Sequence, residues 1–245
     1  NTFDSNSVTV GRGGSKIGGL CLDATLNTEG DSITLVYVDG TKGWLNIQTD
    51  DTVQANTFVA ATGGTITTCG DFKVHTFTSS GCFQVTSAGQ PSGSTKVDYL
   101  VVAGGGAGGK DVGAGGGAGG LRIGAITVPG PSSPLVAPGG LPVSVQTYPI
   151  TVGAGGAINC SPGCAAGSGA NSIFSTITSA GGGGAGGQGN STTAGSPGGS
   201  GGGASPGTAG SGNTPPVSPP QGNNGGSKTS GTASGGGGGG STAVG

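Results

Sequence analysis

Forty-eight of the chain's 62 glycines lie after Ala103, in runs such as Gly104–Gly106, Gly181–Gly184 and Gly235–Gly240. Glycine has no side chain to bury and loses more backbone freedom on ordering than any other residue. A conventional hydrophobic core cannot be assembled from such a segment, so whatever orders it must act through the backbone. The residues between the runs decide whether order exists at all. Three times a β-prone apolar segment runs straight into glycine: Tyr99–Gly104, Tyr148–Gly153 and Ser172–Gly181. A flexible linker needs no lead-in strands, and the repeated unit therefore predicts folded structure.

One ordered form suits glycine runs. Polyproline-II-type helices have three residues per turn and no internal hydrogen bonds. Every N–H and C=O then points outward and must find a partner in a neighbouring helix. Only glycine lets backbones pack that closely, and Cα–H···O contacts add to the lateral bonding. Collagen's strict Gly-X-Y period is missing here, which argues against a triple helix. The pattern predicts a polyglycine-II bundle whose polar or Pro-rich insertions, at 129–142, 159–170 and 214–224, form loops at its ends.

The first hundred residues carry strand signals at Ser7–Val10, Leu20–Leu26, Ser32–Val38, Gly43–Ile47, Gly64–Thr68, Asp71–Thr78, Cys82–Thr86 and Val97–Ala103. Asp39-Gly40 between two of them is a hairpin-turn signal. Apolar 3.6-residue periodicity is absent beyond a single turn, so almost no α-helix is expected. The expected class is all-β: small N-terminal β modules, then a glycine-rich region of short strands and polyglycine-II-type helices. The boundaries are a small β fibre module at 1–50, a β-strand connector at 51–96 and a glycine-rich domain at 97–245. Four or five strands in fifty residues are marginal alone, and chain–chain assembly is the natural remedy.

Of 18 charged residues, 17 fall at or before Arg122, and the formal net charge is −2. So little basic charge excludes an electrostatic footprint for nucleic acid or an anionic membrane. Low apolar content combined with low charge fits fibrous structural proteins better than enzymes. No stretch approaches the ~18 apolar residues of a transmembrane helix, so no membrane insertion is expected. The start at Asn1-Thr2-Phe3-Asp4 lacks the features of a signal peptide, and the chain has no Met. That combination suggests a processed product or a piece of a longer parent.

Five cysteines are an odd number. Cys69 and Cys82 flank a strand-rich segment, and Cys160 and Cys164 flank a Ser-Pro-Gly turn; both pairs are candidate disulfides. Metal binding is the weaker alternative, since His75 is the only histidine, and no cofactor is expected. Gly104–Lys110 imitates a phosphate-binding loop, but Asp111 stands where Ser or Thr should follow, and no helix signal comes after it. Asp50-Asp51 lacks a calcium-loop pattern. Asn159-Cys160-Ser161 and Asn190-Ser191-Thr192 match the glycosylation sequon. Trp44, Tyr37, Tyr99 and Tyr148 are expected to pack on β surfaces, where an exposed ring could stack on a sugar. No catalytic constellation emerges, and the chain is not expected to be an enzyme. The insertions nominate Asn159, Ser161, Asn190, Thr192, Asn213, Gln221 and Asn223 as candidate recognition residues.

Thr62–Thr68, Asp71–Gly81 and Val97–Gly106 closely resemble the glycine-rich domain of fibre-like virion proteins in marine and freshwater phages. Gly119–Arg122, Tyr148–Gly156 and Ser172–Phe174 are similar to its later blocks in the same order, so the resemblance spans residues 60–245. Residues 6–47 are similar to short β modules that precede such domains in tail-fibre and appendage proteins. The resemblance implies an extracellular virion appendage that attaches to a host surface. It also implies a homo-oligomer, a trimer by analogy with fibres, whose partner is a host cell-surface glycan or an outer-membrane protein. Related phage adhesins use a polyglycine-II sandwich with receptor-binding loops at its tip. The chain departs from the common pattern in its Pro-rich 129–142 insertion and its cysteines. The alternative is a secreted microbial structural filament or surface-layer protein, using the same physics for stiffness without host recognition.

Overall fold

Short alternating runs separated by glycine fold here as short strands, in keeping with the two-residue period of β structure. The computed structural model describes residues 7–26, 33–47, 54–55, 58–91, 93–110, 113–125, 135–158, 164–187, 194–205, 207–228 and 234–245. Among these residues are 17 strands and no α-helix, so the protein is all-β. The chain forms two units. One comprises Asn1–Ala61, Val85–Lys96 and Pro142–Val145; the other comprises Thr62–Gln84, Val97–Leu141 and Gln146–Gly245.

In the first unit, β1 (Val8–Val10) pairs antiparallel with β2 (Ala24–Leu26), which pairs with β5 (Gln54–Ala55). A hairpin joins β3 (Leu35–Asp39) to β4 (Gly43–Asn46) and sets Tyr37 opposite Trp44, ring edge to ring face at 5.4 Å. The turn expected at Asp39-Gly40 is present, with three connecting residues and a bulge between Tyr37 and Asp39. The Asp39 carboxylate accepts the Thr41 and Lys42 amides at 2.7 and 2.6 Å. Those bonds, from Lys42 first and Thr41 second, hold its carboxyl below the ordinary carboxylate range. The strand expected over 20–26 begins only at Ala24. Leu20 is taken by a tight turn through Gly18 (φ +61°) and Gly19 (φ +82°), closed by reciprocal bonds between Ile17 and Leu20. Ile17, Ala24, Leu26, Val85 and Val143 are buried and contribute the unit's small apolar interior. β6 (Val59–Thr62) lies mostly in this unit, as does the second half of β9 (Gly81–Ala88), and Thr86 Oγ1 donates to Ala60 O at 3.1 Å.

The second unit begins with a hairpin of β7 (Thr65–Cys69) and β8 (Phe72–Thr76), turned at Gly70-Asp71. Its sheet orders β17 (Ile177–Ser179), β16 (Ser172–Phe174), β15 (Thr147–Thr151) and the first half of β9. Phe83, Tyr148 and Phe174 pack their rings together across that sheet, and His75 lies edge-on to Phe83 at 5.1 Å. His75 Nδ1 is also 2.8 Å from Gly63 O, so the lone histidine is a packing residue. The third expected lead-in strand is instead a hairpin, because the chain reverses at Ser175-Thr176 with Ser175 at φ +55°. Neither residue is a usual turn signal at such a position, so the reversal carries no mark in the sequence. β11 (Tyr99–Val102) pairs antiparallel with β12 (Leu121–Ala125), which pairs parallel with β13 (Val136–Pro138). Two-residue strands β10 (Lys96–Val97) and β14 (Leu141–Pro142) pair with each other.

The candidate disulfide between Cys69 and Cys82 is not formed. Cys69 ends β7 opposite Phe72, whereas Cys82 lies in β9 opposite Pro149, in a different sheet. Both are free exposed thiols, as are Cys21 and Cys164. Cys160 lies outside the described residues.

The glycine runs form ten extended rods among the described residues: 103–109, 113–120, 152–158, 164–170, 180–187, 194–199, 200–204, 207–212, 221–227 and 234–240. Each bonds its neighbours at every third residue. The first and second rods pair through Ala103 to Gly120, Gly106 to Gly117 and Gly109 to Ala114, all N–H to O at 2.8–3.1 Å. That lateral period is the three-residue turn of polyglycine II.

The fifth rod, 180–187, is the core. All seven C=O groups from Ala180 to Gly186 accept a backbone amide, supplied in rotation by the second, sixth and fourth rods. Four of the seven amides return bonds to the first and seventh rods. The other three reach side chains: Ala180 to Gln221 Oε1 (2.8 Å), Gly181 to Asn171 Oδ1 (2.9 Å) and Gly184 to Ser168 Oγ (3.1 Å). A buried strip whose only side chains are the methyls of Ala180 and Ala185 is thus fully paired, which burial of a backbone requires. A Cβ at Gly181, Gly182, Gly183 or Gly184 would overlap the carbonyl of Gly169, Gly117, Ser196 or Ala166 respectively. Ala185, one of the rod's two methyls, packs with Ala107, Ala114 and Ala166 in a cluster of four alanines.

Candidate functional site

Hydrogen-bond register fixes the direction of every rod, and direction decides which connections share an end. The first and fifth rods run parallel, with Gly182 and Ala185 donating to Gly104 and Ala107. The second rod opposes both, through Gly117 to Gly183 and Gly106 to Gly117. Extending the same reading, the rods alternate up and down along the whole series. The connections after the first, third, fifth, seventh and ninth rods consequently leave from one end of the bundle. They comprise residues 110–112, 159–163, 188–193, 205–206 and 228–233. Ser205 Oγ donates to Ser234 O at 2.9 Å, tying two of these rod ends directly. The strand-bearing connections and the 213–220 loop leave from the opposite end.

This arrangement divides the candidate recognition residues. Asn159, Ser161, Asn190 and Thr192 lie outside the described residues, in connections whose flanking rods place both chain ends at the loop end. Asn213, Gln221 and Asn223 belong to the strand end, and their side chains turn inward. Asn213 Oδ1 accepts from Val217 N (3.1 Å) and Gln221 N (3.3 Å), while its Nδ2 donates to Val217 O. Asn223 Nδ2 donates to Ser241 O at 3.1 Å. Gln221 is 1% exposed and is a structural plug. Its Oε1 takes the Ala180 amide, its Nε2 donates to Pro215 O at 2.9 Å, and its carbonyl accepts from Leu121 N at 2.8 Å. Among the described residues no backbone carbonyl accepts the Ala180 amide, and the Gln221 side chain does so instead. The Gln221 side chain is thus taken up inside the bundle.

The chemistry of the loop-end connections is polar. They are rich in Asn, Gln, Ser and Thr, with Lys110, Asp111 and Lys228 as their only charges and no aromatic residue. Their sequences lack the Trp, Tyr and Arg anchors of protein hot spots. Among the described residues no group of three His, Cys, Asp or Glu could hold a metal ion. No helix among them is long and apolar enough to cross a membrane.

Residues 78–245 match the family described as Glycine-rich domain, well over half of the chain. No curated protein and no solved structure matches the chain. Every rod, every lead-in strand and both ends of the bundle fall inside the matched residues, and the chain belongs to the Glycine-rich domain family.

Proposed function

We propose that this protein is a non-enzymatic structural component of a phage virion fibre or appendage, and that the loop end of its bundle attaches to the host surface. The observation that carries this reading is the strict alternation of the rods, which gathers five connections at one end. A framework held by backbone bonds imposes no sequence requirement on those connections, so they can vary freely. The resemblance to phage fibre domains adds the setting: an extracellular appendage, assembled as a homotrimer. The partner class that fits polar connections is a host cell-surface glycan or the polar loops of an outer-membrane protein.

The test replaces residues 188–193 and 229–233 with short glycine–serine links and measures adsorption to host cells. Loss of adsorption with an unchanged unfolding midpoint is expected. Unchanged adsorption would overturn the attachment role. The absence of aromatic anchors from the loop-end connections favours a second reading, a secreted structural filament. Micrographs showing endless filaments without capsids would select it.

A further inference from the structure

The first unit holds a cleft of about 390 Å³ lined by Val10, Arg12, Ser15, Ile17, Leu35 and Trp44. Its size lies within the ~300–1,000 Å³ range of small-molecule sites. Trp44 is 37% exposed although it sits mid-strand in β4, so an indole that could have been buried is left partly bare. Its backbone is bonded on both sides and its ring meets one neighbour. Trp44 N donates to Lys16 O and Gly18 N donates to Trp44 O, both at 2.8 Å, and the Tyr37 ring abuts it edge-on. The backbone that carries Arg12 and Ser15 is held as well: Arg12 N donates to Asp23 Oδ1 at 2.8 Å, and Ser15 N donates to Arg12 O at 3.0 Å. Buried Ile17 and half-buried Leu35 make the floor apolar.

The lining thus combines an aromatic residue and apolar side chains with an arginine and a serine, a set that suits a ligand with one apolar face and a polar edge. A pyranose ring has that form, with its C–H face for the indole and vicinal hydroxyls for the planar donors of arginine. We propose that this cleft is a carbohydrate site taking one pyranose ring, stacked on Trp44 and held through its hydroxyls by Arg12 and Ser15. The site lies outside residues 78–245 and stands independently of the loop end.

Trp44 is the chain's only tryptophan, so its emission reports on this cleft alone. The whole chain is titrated, at millimolar concentrations, with the methyl glycosides of glucose, galactose, N-acetylglucosamine and glucuronic acid. A saturable emission change is expected with at least one of them. Arg12→Ala should weaken that binding about tenfold or more without moving the unfolding midpoint, as expected for loss of a charge-assisted hydrogen bond. Trp44→Phe, followed by calorimetry, should retain weakened binding because a ring face remains. Replacing residues 188–193 should leave the titration unchanged, which separates this site from the loop end. The absence of a saturable change with all four glycosides would overturn the proposal, as would undiminished affinity in Arg12→Ala.

Discussion

Glycine does two different jobs in this chain. In the exposed turns at Gly13 and Gly70 it supplies a conformation: they sit at φ +55° and +57°, and a Cβ on either would meet open space. In the rods it supplies an absence. Gly181–Gly184 have no positive φ, yet each is pressed against a carbonyl of a neighbouring rod. One use concerns which torsions are allowed and the other concerns how near two backbones can come. A residue that mimics the first use, such as asparagine, cannot mimic the second.

The largest expected effect follows from the second use. In Gly183→Ala the new methyl meets the Ser196 carbonyl, which belongs to a rod and cannot swing aside as a side chain would. The fifth and sixth rods must part, and the loss should reach ~3 kcal/mol or more from overpacking and broken hydrogen bonds together. Gly183→Asn should be at least as damaging. Denaturant unfolding of the two variants checks this, and a wild-type midpoint in either would break the contrast. Next comes Gln221→Ala, which strands the buried Ala180 amide; a cost of ~1–3 kcal/mol is expected. Gln221→Leu should not recover it, because volume is restored without an acceptor.

At Gly70 the expectation reverses. Alanine there should cost only ~1–2 kcal/mol, the strain of a left-handed residue, and asparagine should be close to neutral. Equal penalties for Ala and Asn at Gly70 would show that space, not torsion, governs this turn as well.

The same contrast explains how much of the molecule is legible in the sequence. Lead-in strands and the demand for lateral bonding are written in composition: Tyr99–Val102 and Tyr148–Thr151 run apolar into glycine, and glycine allows nothing else to order it. Rod direction is not written there. Whether 159–163 and 213–220 share an end depends on how many rods lie between them, and nothing local marks where the sixth rod bends into the seventh at Gly199-Ser200. Gln221 shows the same limit. Beside prolines and glycines it looks like a loop residue, and only the unpaired amide of Ala180, 41 positions earlier, makes it core. Cys69 and Cys82 suggest a bridge by spacing, but strand pairing sends them to different sheets.

The smallest expected effect tests whether charge enters only one of the two regions. No charged side chain bonds any of the amides of Ala180–Gly186, whereas the β3–β4 turn depends on the ionised Asp39. Folding lowers the Asp39 pKa, because its carboxylate accepts two amides. A depressed folded-state value means the stabilisation is present above the unfolded carboxylate range. It is lost as pH falls through the folded value. Acidification should therefore loosen the hairpin, seen as a shift in Trp44 emission, while amide exchange in the fifth rod stays protected at the same pH. Asp39→Asn should flatten the emission profile, since a neutral side chain cannot titrate and retains one acceptor. An acid transition of the same midpoint in that variant would assign the change to another group. Loss of protection in the fifth rod at the same pH would show that the rods, too, depend on ionised groups.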